Sequence, residues 1–467
     1  MENNVTPYDI INKAEALRNN LSTGFRDEIV KSIYSEAETI AQRAVKTATN
    51  KKYDLDQKID RLVTSPWTGL PIMVMLLGII IWLTVSGANV VSEAIATVLF
   101  GLGDIGRNFF NSLGFIPWWV TGFIWDGVYL GLAWVISVML PPMMIFFPAF
   151  TFLEDLGYLP RVAFNLDWLF KKTGAHGKQS LTMAMGFGCN AAGVVATRVI
   201  DSPRERLIAI LTNNFVPCNG RFPTLIMLAT VFVASSFPAA LTSFVAAGTV
   251  VGVVLIGVGF TFLMSWLLSR TVLKGEASAF TLELPPYRKP NVGRILYTSI
   301  IDRTIFVLWR AMQTAAPAGA IIWILANIPY GDVNLARAIA DWLNPFGLLL
   351  GLDGVILLAY IIAIPANEIV VPTMMMVYMG AGMMINGPSS NSAIFDLLVN
   401  GNGWTMLTAI NLMLFALLHN PCATTVITIY KETKSWKWAT VSVVITLGTA
   451  FLVTFLTASF ARLMGWV

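Results

Sequence analysis

The sequence predicts an all-α polytopic membrane protein whose two halves are inserted in opposite directions and contain broken and re-entrant helices. Three observations carry this reading. Of 467 residues, 56% are hydrophobic and only 12% charged, with a mean hydropathy of +0.67, whereas soluble domains carry about 25% charged residues. Five stretches contain no Asp, Glu, Lys or Arg at all: Pro66–Ser92, Gly127–Leu153, Phe222–Ser269, Leu397–Tyr430 and Trp438–Ala461. A spanning helix needs roughly 20 apolar residues. Finally, Gly, Pro and Cys interrupt four apolar segments, and the interruptions recur in the same order in the two halves.

Taken from the N-terminus, residues 1–65 are polar and mixed in charge, with no cleavable signal. Ile29, Ile33, Tyr34, Ile40 and Val45 recur at helical spacing, which predicts a cytoplasmic amphipathic helix and linker. A first membrane half follows over 66–269, a cytoplasmic loop over 270–303, and a second membrane half over 304–467. Loops rich in Lys and Arg mark the cytoplasmic side: 161–178, 198–206, 270–303 and 431–437. Loops without Lys or Arg, 235–240 and 386–403, mark the outside. The N-terminus is therefore expected in the cytoplasm, with the chain crossing the membrane many times.

Threading these sides gives two parallel inventories. Span 66–90 runs outward and 119–152 inward. Residues 180–200 leave and re-enter the cytoplasmic side with Cys189 at the tip. Residues 207–234 cross outward, broken at "VPCNG", and 241–269 return. In the second half, 304–326 run outward and 350–385 leave and re-enter the outer side with "IPANE" at the tip. Residues 404–430 then cross inward, broken at "HNPC", and 438–461 go outward. "GCN" answers "PAN", pairing Asn190 with Asn367, and "NNFVPC" answers "LLHNPC", pairing Cys218 with Cys422. Inverted repeats with broken helices meeting at the midplane are a transporter architecture.

Non-helical backbone survives at membrane depth only when buried in protein or lining a polar cavity. Four such breaks, each beside a ligand-capable side chain, point to a path for something polar. Cys189, Cys218 and Cys422 offer sulfur, and Asn190 and Asn367 offer carbonyl oxygen. Glu368 is the only charge between Gly354 and Phe395; a carboxylate at a helix centre costs about 2.5–3.5 kcal/mol on insertion scales, and a cation would offset part of that. Thiolates favour softer metals and carboxylates harder ones, so the mixed set suits a borderline divalent metal. Gly186, Gly188, Pro217 and Pro421 supply the breaks. Arg221 is open to three readings: it locks the gate, pairs with Glu154 or Asp155, or repels ions. His419, beside the fourth break, is a weaker candidate, and His176 reads as a loop residue.

No nucleotide site is found in this chain. "GAHGKQS" fails the phosphate-loop pattern because Lys172 stands where glycine is needed and Gln179 follows Lys178. Nor does a catalytic motif appear, so an enzyme is not expected. The positive residues lie in short loops, which argues against nucleic acid as a partner.

Several segments resemble the membrane domain of the ferrous iron transport protein B family. They are "KIDRLVTSPWTGLPI" (58–72), "LEDLGYLPRVAFNLD" (153–167), "GFGCNAAGVVATRVIDSPRERLIAILTNNFVPCNGR" (186–221), "GEASAFTLELPPYRKPN" (275–291), "PANEIVV" (365–371) and "NPCATTVITIYKETKSWKWA" (420–439). The resemblance implies Fe(II) as the transported ion, moving across a prokaryotic inner membrane into the cytoplasm, with Cys189, Cys218 and Cys422 as gate and pore cysteines and Asn190 and Glu368 beside them. Three departures stand out. Ala191-Ala192-Gly193 replaces V-P-A, Pro217-Cys218-Asn219-Gly220 replaces S-C-G-A, and Asn367 replaces the usual Lys. The family's N-terminal GTP-binding domain is not seen in this sequence. The expected partners are therefore membrane lipid, a divalent metal ion, a separate GTPase or a small accessory protein, and further copies of the chain as a homo-oligomer. The alternatives are transport of another divalent metal or a nucleoside-like solute, or a non-transporting metal sensor.

Overall fold

A computed structural model describes residue 13 and residues 25–44, 51–65, 67–275, 286–385 and 391–465. Much of the expected 1–65 tether, part of the 270–303 loop and residues 386–390 lie outside the described residues. What is described is almost entirely helical, and the fold is that of an all-α polytopic membrane protein. Among the described residues six helices are long and apolar enough to cross a membrane, or seven if one bent pair is counted as a span.

Helix α1 (Phe25–Ala44) carries the predicted stripe, and its Ile29, Ile33, Tyr34 and Ile40 are exposed. Helix α2 (Lys51–Val63) is fastened to the membrane region. Arg161 donates Nε to Asp60 Oδ1 at 3.0 Å and Nη2 to Asp60 Oδ2 at 3.2 Å, and Asn165 donates to Val63 O at 2.7 Å. The Arg161 guanidinium also lies 4.0 Å above the Tyr287 ring. Burial of that phenol, with Asp60 beside it, raises its pKa to about 12. One cation thus joins the N-terminal linker, the helix after the second span and the loop between the two halves.

Helix α3 (Gly69–Ser112) runs for 44 residues. At 1.5 Å per residue this is about 66 Å, twice the roughly 30 Å hydrocarbon thickness. The expected span ends at 90, but the helix continues for six more turns because no Gly-Pro or capping signal stops it. A short turn (Trp118–Thr121) and a π-helical stretch (Gly122–Tyr129) lead into α4 (Leu130–Leu156), which carries Pro141, Pro142 and Pro148 inside it. Helix α5 (Tyr158–Lys172) begins after Gly157, whose φ of +89° turns the chain sharply. His176 follows in the expected loop; it is buried, accepts from the Lys178 backbone N–H at 3.0 Å, and has its pKa lowered chiefly by desolvation.

The first broken pair is α6 (Gln179–Gly188) and α7 (Asn190–Ala196), separated by extended Cys189. The next span is broken too: α8 (Pro203–Thr212) and α9 (Phe222–Leu228) flank non-α-helical backbone over 213–221. Ser202 caps α8 by accepting from Glu205 N, with Pro203 at the first helical position. Helix α10 (Ala239–Arg270) closes the half.

Short α11 (Val292–Tyr297) passes through a π-helical stretch (Thr298–Ile305) into α12 (Phe306–Asn327). A two-residue hairpin pairs β1 (Pro329–Tyr330) with β2 (Val333–Asn334). Helices α13 (Leu335–Leu349) and α14 (Gly354–Ile362) meet at 110°. Asp353 fixes that corner: it accepts from Ile356 N at 2.8 Å and from Trp404 Nε1 at 3.0 Å, and Tyr378 Oη also donates to it. Helix α15 (Val370–Met379) follows a break over 363–369. Helix α16 (Asn391–Asn402) occupies much of the 386–403 segment expected as loop. Helices α17 (Met406–Leu418) and α18 (Ala423–Thr433) form the last broken span, and α19 (Trp436–Leu463) completes the chain.

The two halves lock together through small residues, which let helix backbones approach closely in a membrane. A Cβ on Gly319 of α12 would lie 2.3 Å from Gly127 O, and one on Gly131 would lie 3.1 Å from Gly319 Cα. Gly319→Ala therefore forces backbone apart and is expected to cost about 1–3 kcal/mol. Gly248→Ala, on the exposed face of α10 with nothing within 4 Å, leaves stability unchanged or slightly raised. Melting temperatures of both variants in detergent check this; equal losses would contradict it.

Candidate functional site

All four interruptions share one local geometry: the residue at each break is extended and is followed at once by a helical turn. Cys189 (φ −157°, ψ 125°) precedes α7, Cys218 (φ −84°, ψ 170°) precedes the turn Asn219–Arg221, Ala366 (φ −152°, ψ 112°) precedes the turn Asn367–Ile369, and Cys422 (φ −62°, ψ 158°) precedes α18. Each is an N-cap. The four helix starts converge on one small cavity of about 40 Å³. Its walls include Cys189, Asn190, Cys218, Asn367, Glu368 and Cys422, all six of the sequence-predicted ligand residues.

Glu368 reaches across between the halves. A Cβ on Gly220 would lie 2.3 Å from Glu368 Oε1, so only glycine beside Cys218 leaves room for the carboxylate. Glu368 is 8% exposed and comes from the second half, while Gly220 comes from the first. Helix starts carry partial positive charge and favour anionic groups. Four of them around the cavity therefore suit anionic side chains, and an entering cation would pair with those side chains rather than with the backbone. Cys422 Sγ lies 3.3 Å from Thr425 Oγ1 within the same helix start.

The breaks are held in place by amides. Asn213 donates Nδ2 to Asn190 O at 3.0 Å, and its side chain fills the space that Cβ atoms on Gly186 and Gly193 would occupy. The Asn190 carboxamide, with its nitrogen turned toward the two carbonyls that face it, donates to Gly186 O at 3.0 Å and Val216 O at 3.1 Å. It thus staples the re-entrant pair to the broken span. In the second half Ala423 N donates to Ile364 O at 2.9 Å, joining the corresponding two breaks.

Two larger cavities flank the central one. A cavity of about 520 Å³ opens at the end carrying the basic loops and is lined by Glu154, Asp302, Arg303 and Arg310 among others; it shares Cys189, Val307 and Thr424 with the central cavity. A cavity of about 480 Å³ lies toward the opposite end, with Asn219, Thr230 and Asn391 among its polar residues.

Comparison with known proteins agrees with this arrangement. A family model described as nucleoside recognition (gate) matches residues 136–232 and 308–436, the two segments that contain all four breaks. A second, described as the ferrous iron transport protein B C terminus, matches 250–302 between them. An Fe(2+) transporter FeoB of Staphylococcus aureus (strain MSSA476) is 29% identical over 465 residues, covering 96% of this chain. The chain is similar to ferrous iron transport protein B over nearly all of its own length. It spans 66% of the length of that relative. An Fe(2+) transporter FeoB of Campylobacter jejuni is 27% identical over 441 residues, covering 91% of this chain and 69% of its own length. A Porphyromonas gingivalis Fe(2+) transport protein A/Fe(2+) transporter FeoB fusion protein is 26% identical over 452 residues, covering 86% and 51% respectively.

The donors are loosely arranged, and one of the three readings of Arg221 needs correction. The six ligand residues line a common cavity, but among the described residues no three His, Cys, Asp or Glu side chains are grouped to hold a metal ion. The donors sit on four separate helix starts, spread around the walls, and do not form a closed chelate. Arg221 is likewise not paired with an acid. Glu154 pairs with Arg303 at 3.1 Å and Asp155 accepts from Asn291 N at 3.0 Å. Arg221 is 2% exposed and forks between the halves, donating to Asn214 O (2.8 Å), Leu417 O (2.7 Å), His419 O (2.9 Å) and Asn420 O (3.4 Å). It caps the end of α17, whose last carbonyls have no intrahelical partner. His419 is structural too, with Nδ1 3.1 Å from Ala416 O and its ring packed against Tyr360 and Phe415.

Sequence reasoning missed Gly220, Asn213 and Thr424. The contact that Gly220 permits and the carbonyl that Asn213 holds depend on distant backbone, and Thr424 is one of many threonines. Arg221→Met leaves several carbonyls unsatisfied, at about 1–3 kcal/mol each, and is expected to lower stability by roughly 3 kcal/mol or more. Arg221→Lys recovers only part, because an ammonium does not reproduce the planar fork. Denaturation of the three proteins in detergent tests this; an unaffected Arg221→Met would contradict the capping role.

Proposed function

We propose that this chain moves ferrous iron across the prokaryotic inner membrane into the cytoplasm, through the central cavity. One observation carries the reading: sulfur and oxygen donors from both halves line a single cavity in a chain whose relatives are named Fe(2+) transporters. Size supports an ion over a nucleoside-like solute. Sites for drug-sized ligands occupy about 300–1,000 Å³, whereas the volume at the donors is about 40 Å³, room for an ion that has shed part of its water. The open donor set favours passage over storage, since conduction requires binding tight enough to enter and weak enough to leave.

In this reading the basic loops face the cytoplasm and the 520 Å³ cavity is the exit vestibule. Glu368 supplies the charge that offsets desolvation of the ion, and the cysteine sulfurs replace part of its hydration shell. Asn367, a neutral amide on the cavity wall, leaves the second break without a competing cation. The exposed stripe on α1 is where a separate GTPase or accessory protein would dock, and assembly as a homo-oligomer is part of the same proposal.

Anaerobic Fe(II) uptake into proteoliposomes containing the purified chain tests the function. Saturable uptake is expected, falling at least tenfold in Cys218→Ser and in Glu368→Gln. Metal binding without flux would make the chain a sensor, and flux unchanged in both variants would remove the cavity from the path.

A further inference from the structure

The central cavity relates differently to its two neighbours. It shares three lining residues with the basic-loop cavity and none with the one at the opposite end. Two adjacent rings on α4 mark the division. Phe146 lines the opposite-end cavity and Phe147 the basic-loop cavity. Both press on Gly188, itself a wall of the central cavity: a Cβ there would lie 3.1 Å from Phe146 Cε1 and 2.5 Å from Phe147 Cε1. Phe146 is 3% exposed and stacks on Phe150 one turn on, with centroids 5.8 Å apart and planes at 9°.

The backbone beneath these rings is weakened. Pro141 and Pro142 precede them by about one turn and Pro148 follows directly. Proline donates no N–H and crowds the carbonyl four residues back, so a helix kinks there. A ring pair bracketed by prolines can swing as a unit while the rest of α4 stays packed against α3 and α12.

We propose that Phe146 is the gate between the opposite-end cavity and the donor site, and that bending of α4 at its prolines moves it. The described conformation is then open to the basic-loop end and closed by Phe146 on the other. This rests on the transport reading, since a gate needs a path, but it can be tested without iron.

The full chain is placed in membrane vesicles of each sidedness and treated with a membrane-impermeant charged methanethiosulfonate; labelling of each native cysteine is quantified by peptide mass spectrometry. In the wild type Cys189 is expected to react from the basic-loop side and neither Cys189 nor Cys218 from the opposite side. Phe146→Ala is expected to raise labelling of Cys218 or Cys189 from the opposite side at least tenfold, leaving the basic-side rate within twofold. Phe146→Leu, which keeps most of the volume, is expected to give a smaller rise of at least threefold and decides the matter if the alanine variant does not fold. Opposite-side labelling already present in the wild type, or absent from both variants, overturns the gate. Iron uptake measured on the same preparations separates the two readings: side-specific labelling without uptake retains the gate and removes the cargo, and uptake without the labelling change does the reverse.

Discussion

A backbone interrupted inside a bilayer must find partners for the N–H and C=O groups that the helix no longer satisfies, because no water is there to take them. Four interruptions meeting at one place multiply that demand, and most of this protein's buried polar chemistry answers it. Arg221 holds carbonyls from both broken spans. Asn190 and Asn213 bind the first re-entrant pair to its broken span, and the Ala423–Ile364 bond does the same in the second half. The buried Arg221 is therefore structural, and the polar side chains left to face the cavity include thiols, an amide, a hydroxyl and one carboxylate.

That division of labour sets the electrostatics of the site. A buried guanidinium aimed into the cavity would oppose a cation. Aimed at the carbonyls at the end of α17, it is largely compensated before an ion arrives. The helix starts then leave Glu368, which Gly220 admits to the wall, as the anionic group facing the space. Donors borne on four independent segments also move when those segments move. This links the site to α4, whose prolines and paired phenylalanines separate the two flanking cavities.

Much of this was legible in the chain itself. Long charge-free runs gave the spans, and Gly, Pro and Cys at odds with helix gave all four breaks, because those residues act locally. The shared cavity of Cys189, Cys218, Cys422, Asn190, Asn367 and Glu368 followed from the repeated order of motifs. The role of Arg221 stayed open because its partners are backbone carbonyls, which leave no trace in residue type. The reach of α3 to Ser112 and the helix Asn391–Asn402 went unseen since loop polarity and helical propensity conflict there. The exposed stripe of α1 was legible as a pattern but not in its surroundings.

The central claim is that an ion occupies the space where the two halves meet. Crystals or oriented membranes loaded anaerobically with Fe(II) and measured at the iron edge test it most directly. The account predicts an anomalous peak within the cavity between Cys218, Cys422 and Glu368, with mixed sulfur and oxygen neighbours. A peak confined to the loops, with the cavity empty at saturating iron, would contradict it.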